Sequence, residues 1–113
     1  MNTAPLHPEL ASGRWHTMRL VEQLANVGSE VERAIRADEQ ANAARWTGAF
    51  ARALELFDLS ASDPRWRGHR RREILRAREL FCGLFFSDGP ARTDAPFLRT
   101  YFLQFAVAAR KAG

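Results

Sequence analysis

The sequence predicts an all-α fold, an antiparallel up-down-up-down four-helix bundle. Apolar residues recur three and four positions apart in four separate stretches, which lays each set along one face of a helix. The breakers between those stretches are short, so consecutive helices become antiparallel neighbours. No strand-like alternation or hairpin turn competes anywhere in the 113 residues. A chain of this length forms one domain and can bury a core without disulfides or metals.

Residues 1–14 mix proline, glycine and polar side chains without periodicity, and read as a flexible arm before a bundle domain at 15–113. Thr17 is the expected N-cap of the first helix, placed at about 17–38 by Leu20, Leu24, Val27, Val31 and Ile35. Gly28, Ser29 and Glu32 would suit a break with a new capping box there. The apolar stripe crosses Gly28 in phase, however, and a mid-helix glycine costs only about 1 kcal/mol. One long helix is expected, with Gly28 letting another backbone approach closely. A polar turn at 38–42 leads to a second helix at about 43–59, carrying Phe50, Leu54 and Phe57 on one face.

Asp63 and Pro64 suit the N-cap and first position of the third helix, although Gly68 can delay its regular part to about His69. Ile74, Leu75, Phe81, Leu84 and Phe85 are its apolar residues. Residues 87–93 contain Asp-Gly-Pro and read as a loop. Asp94 is the expected cap of the last helix, whose stripe is Leu98, Tyr101, Phe102, Phe105 and Ala109.

The residue pattern contains no catalytic constellation. A di-metal bundle needs Glu-x-x-His pairs, and none of the eight glutamates has a histidine three residues on. His69 and Cys82 would stand about 20 Å apart along one helix, too far for a nucleophile and its base. No Gly-rich phosphate loop is present, so neither cofactor nor metal is expected. Cys82 reads as a small packing residue, because nothing beside it would activate a thiolate. A single unpaired cysteine, the absence of a signal-like start and the absence of a long apolar run give an expected location in the cytoplasm, away from membranes.

Charge is the feature with functional weight. Residues 65–78 hold seven arginines against one glutamate, a charge of +6, which leaves −2 for the rest of a chain whose net charge is +4. Arg65, Arg67, Arg70, Arg71, Arg72 and Arg76 are the candidate anion-binding residues. Near the start of a helix, where the dipole is already positive, such a cluster repels itself unless an anion lies there. A solvated helix face rich in arginine is the plain alternative. Nucleic acid, structured RNA first, or an acidic protein would suit the cluster.

Trp66, between Arg65 and Arg67, could stack on a base or tuck over the bundle end. Trp46, Leu56, Leu103 and Val107 widen the apolar arcs of the second and fourth helices beyond one core, and are the candidate oligomer interface.

The stretch Leu24-Ala25-Asn26-Val27-Gly28-Ser29-Glu30-Val31-Glu32-Arg33-Ala34 resembles the first helix of bacterial four-helix-bundle proteins related to the 23S rRNA intervening-sequence protein. The runs Ala53-Leu54-Glu55-Leu56-Phe57-Asp58-Leu59, Asp63-Pro64-Arg65 and Glu73-Ile74-Leu75-Arg76-Ala77-Arg78-Glu79 are similar to the same group. The resemblance implies a small cytosolic, non-enzymatic bundle assembled as a homopentameric ring. One branch, the accessory protein of diversity-generating retroelements, implies binding to a reverse transcriptase and nucleic acid.

Overall fold

Trp15 organises one end of the molecule. In the computed structural model, which describes residues 13–86 and 95–112, its ring is fully buried and its indole N–H donates to Ser60 Oγ at 3.2 Å. It belongs to a short 3-10 turn, Arg14–Thr17, that leads into four α-helices: α1 Leu20–Glu39, α2 Ala43–Ala61, α3 His69–Phe86 and α4 Ala95–Ala112. Among the described residues there is no strand. The expected loop at 87–93, the Asp94 cap and residues 1–12 of the expected arm lie outside the described residues.

The first helix starts later than expected. Thr17 is not its N-cap: the Thr17 hydroxyl donates back to Arg14 O at 2.7 Å, inside the 3-10 turn. Arg19 takes the N-cap position, and the Glu22 carboxylate accepts from its backbone N–H at 3.1 Å and its Nε at 3.0 Å. An arginine side chain has nothing with which to accept from the helix, so only this returning half of a capping box forms.

The helix then runs unbroken through Gly28. A Cβ there would meet Phe102 Cβ at 2.7 Å, so the missing side chain lets α4 lie directly against α1. The expected close approach is present.

Asn42 caps α2, its side chain accepting from Arg45 N at 3.1 Å. The third helix begins at His69 rather than at Pro64, because Gly68 takes a left-handed φ of 65° that interrupts helical geometry.

α1 packs most closely against α2 and α4, and α3 lies more loosely against α2 and α4. The start of α1 meets the end of α2 through Gln23 and Asp63, while Trp46 at the start of α2 meets Phe85 at the end of α3. Gly28 and Glu39 of α1 meet Phe102 and Arg99 of α4. Phe57 sits where the layers converge, touching Phe81 and Phe102.

One expected interface residue belongs to this core instead. Leu56 is 2% exposed. The wide arc of α2 is used inside the subunit, since Phe50 and Phe57 face Phe81 of α3 while Arg52 reaches Glu30 on α1. A helix with two neighbours needs a wider apolar face than a helix with one. Among the described residues no helix is long and apolar enough to cross a membrane.

Candidate anion-binding site

The link between α2 and α3 is built on one buried carboxylate. Asp63 is 2% exposed and accepts from Gln23 Nε2 at 3.0 Å, from the Arg65 backbone N–H at 3.0 Å and from Arg65 Nη2 at 2.7 Å. Burial alone would raise its pKa. The hydrogen bonds from Arg65 and Gln23, with the charge of Arg65, outweigh burial and hold Asp63 well below the ordinary carboxylate range.

Gln23 is engaged at both ends of its amide. It donates to Trp15 O at 2.8 Å and accepts from Trp66 Nε1 at 2.7 Å.

These contacts decide the roles of two sequence candidates. Arg65 does not stand free with the other arginines, since its guanidinium binds Asp63, donates to Met18 O at 2.7 Å and lies 4.5 Å from the Trp66 ring centre. Trp66 is half-buried against the core, with its polar atom used by Gln23. It tucks over the bundle end, with Arg65 against its ring and its indole N–H held by Gln23.

Beyond this anchor the chain turns outward. Arg67, His69, Arg70, Arg71 and Arg72 are all exposed, and among the described residues no carboxylate pairs with any of these four arginines. Arg76 reaches Glu79 only at 3.9 Å, with both side chains 73% exposed, a geometry worth little in water. Arg78 is tied to Asp58 of α2 at 3.0 Å.

The single acid of the segment, Glu73, is turned toward α4, where it accepts from the Tyr101 hydroxyl at 2.6 Å. Helical spacing places Arg72 and Arg76 on one outward ridge, with Arg70 and Arg71 flanking it at the helix start. A shallow cleft of about 400 Å³ at this end is lined by Asp63, Pro64, Trp66, Arg67 and Arg71.

The interface candidates separate. Leu103 is 58% exposed and Val107 37%, on the same α4 that exposes Phe97. Trp46 is half-buried in an aromatic group with Phe50, Phe85 and Phe86, and its indole N–H is buried without a hydrogen-bond partner.

Cys82 is partly buried, and burial pushes its thiol pKa up, away from a reactive thiolate. No group of three or more His, Cys, Asp or Glu side chains among the described residues is placed to hold a metal ion.

A second gathering of arginine went unnoticed in the sequence. Arg33, Arg36, Arg45 and Arg52, spread over two helices, line one cleft between α1 and α2. Compared with protein-family models, curated proteins and solved structures, the chain shows no significant match.

Proposed function

We propose that this protein is a non-enzymatic homo-oligomeric helical bundle that binds the phosphate backbone of nucleic acid, structured RNA first, through the exposed arginines at the start of α3. The observation that carries the reading is the contrast within one segment. Arg65 and Arg78 are each paired with a carboxylate of the same subunit, whereas Arg67, Arg70, Arg71 and Arg72 are exposed and, among the described residues, form no ion pair. Like charges held close together at the positive end of a helix are costly, and phosphate oxygens relieve that cost. The rigid Asp63–Gln23–Trp66 anchor supports the same reading, since it holds the backbone from which Arg67 projects.

The family resemblance, the up-down-up-down topology and the exposed Leu103 and Val107 support assembly into a closed ring in the cytoplasm, a pentamer on the family pattern. A ring repeats the arginine cluster on each subunit and makes weak phosphate contacts multivalent.

The test is binding to a short structured RNA at low and physiological salt. Affinity should fall steeply with salt, because each phosphate contact releases counterions. The triple variant R70Q/R71Q/R72Q should bind more weakly to every sequence, with a shallower salt dependence and a thermal stability equal to or above the parent's, since self-repulsion is relieved. Absence of RNA binding by the parent at low salt would transfer the cluster to an acidic protein partner. Equal binding by the triple variant would place the contact elsewhere.

A further inference from the structure

The cleft between α1 and α2 has the makings of a separate site. Its volume is about 500 Å³, within the range of small-ligand sites. Arg33 and Arg36 enter from α1, and Arg45 and Arg52 from α2, while Ala44 and Gly48 leave the space between them. Among the described residues, no acidic and no aromatic side chain lines it.

The nearby carboxylates hold the arginines from outside. Glu30, whose side chain is only 8% exposed, accepts from Arg33 Nη1 at 2.8 Å and from Arg52 Nε at 3.2 Å. Each guanidinium has five N–H donors, so both keep donors for a ligand while one buried acid fixes their position. Glu32 meets Arg36 at 3.5 Å but is held more closely by Arg99 at 2.8 Å, so Arg36 is only loosely engaged. Among the described residues no carboxylate pairs with Arg45. Four arginines against Glu30 and Glu32 leave a local charge of +2. The first turn of α2 and the last turn of α1 both border the cleft, so their opposed dipole ends largely offset and the arginines carry its positive charge.

We infer that this cleft binds an oligophosphate group, two or more linked phosphates carried by a small molecule. Four guanidiniums drawn from two facing helices offer donors on both sides of the cleft, enough to hold two linked phosphates at once. The lack of an aromatic wall leaves no stacking surface for a base, so recognition rests on the phosphates. Inorganic pyrophosphate and the diphosphate of a nucleotide share that chemistry. The site is independent of the α3 cluster, because α2 separates it from the α2–α3 link by about 20 Å at 1.5 Å per residue.

Calorimetric titration of the full-length protein with pyrophosphate and with ADP, at low salt, tests the assignment. R36Q/R45Q removes two of the four charges and leaves the Glu30 clamp and the Arg99–Glu32 pair in place, so folding is preserved. Two lost charge-assisted contacts should weaken pyrophosphate binding by at least about tenfold. R70Q/R71Q/R72Q should leave it unchanged, which separates this site from the α3 cluster. Equal affinity for pyrophosphate and ADP supports a free oligophosphate ligand, and tighter ADP supports a nucleotide. The assignment is overturned if about 1 mM pyrophosphate gives no binding, if R36Q/R45Q binds as the parent does, or if the α3 triple variant loses binding instead.

Discussion

Replacing Asp63 by asparagine tests whether the link between α2 and α3 is held by charge or only by shape. The amide has the same size and one acceptor oxygen. Whichever way it turns, its NH₂ faces a donor: Arg65 N and Nε on one side, or Gln23 Nε2 and Arg65 Nη2 on the other. Gln23 cannot rotate to present its oxygen without releasing Trp66 Nε1, which it holds at 2.7 Å. At least one charge-assisted hydrogen bond is therefore lost with no neutral substitute, a cost of about 1.5–3 kcal/mol or more. The Arg65 side chain is 39% exposed and can rehydrate, which keeps the cost near the middle of that range, about 2 kcal/mol.

For 113 residues, an unfolding entropy of about 2.1 cal/mol/K per residue converts this to a fall of about 8 °C in Tm. Circular dichroism melts at 222 nm measure it, and pH supplies an internal control. The folded-state pKa of Asp63 is depressed, so its contribution is fully present above the unfolded-state value of about 3.9 and is lost as pH falls toward the folded value. The gap between parent and D63N should be constant from neutral pH to about 5 and should narrow progressively as pH falls below about 4. A variant melting with the parent at pH 7, or a gap that persists undiminished in acid, would refute the assignment of charge to this anchor.

Two further outcomes follow from packing. Gly28→Ala places a Cβ 2.7 Å from Phe102 Cβ, an atom fixed by its backbone, so α1 and α4 must separate; the overpacking cost of about 1–3 kcal/mol outweighs the gain of about 1 kcal/mol in helix propensity, and urea unfolding should show a lower midpoint. L103E/V107E charges two α4 positions that are 58% and 37% exposed; helix content should hardly change, whereas, on the proposed ring reading, sedimentation should shift toward the monomer, and an unaltered assembly would remove this face from the interface.

Legibility in the sequence followed the range of the interactions involved. The start of α2 was readable because its turn signals act within one turn of themselves; for α3 the Asp63–Pro64 start was overridden by Gly68, whose delaying effect is equally local. Continuity through Gly28 was readable because a stripe spanning the whole helix outweighs one poor residue. The start of α1 was not readable, since arginine carries no capping signature and the preceding turn is held by Trp15 against Ser60, 45 residues away. Leu56 was misplaced for a related reason. A wide apolar arc has the same pattern whether it serves a second helix of the same subunit or a neighbouring subunit.

The charged surfaces show the same division. The arginines of the α3 segment are adjacent in sequence, so counting found them, although the retention of Arg65 by Asp63 is a matter of geometry. The α1–α2 cleft combines side chains from two helices, one from each turn or two, and its existence depends on helix register. Counting also hid it by averaging. The acids that make the rest of the chain slightly negative are not spread evenly: Glu32 and Glu39 turn to Arg99 on α4, and Glu30 turns beneath Arg33 and Arg52.

That segregation has an electrostatic consequence. With Glu30 drawn inward and Glu32, Glu39 and Glu73 turned toward α4, unbalanced arginine is left at two places, the start of α3 and the cleft beside the start of α2. They lie about 20 Å apart along α2, more than twice the screening length of about 8 Å at physiological ionic strength. Charge removed at one place barely alters the potential at the other, and side chains so far apart share no hydrogen-bond partner. Variants at the two places should therefore act additively on stability and separately on binding. Coupling between them would require a ligand long enough to touch both, or a neighbouring subunit that brings one subunit's cleft beside another's α3.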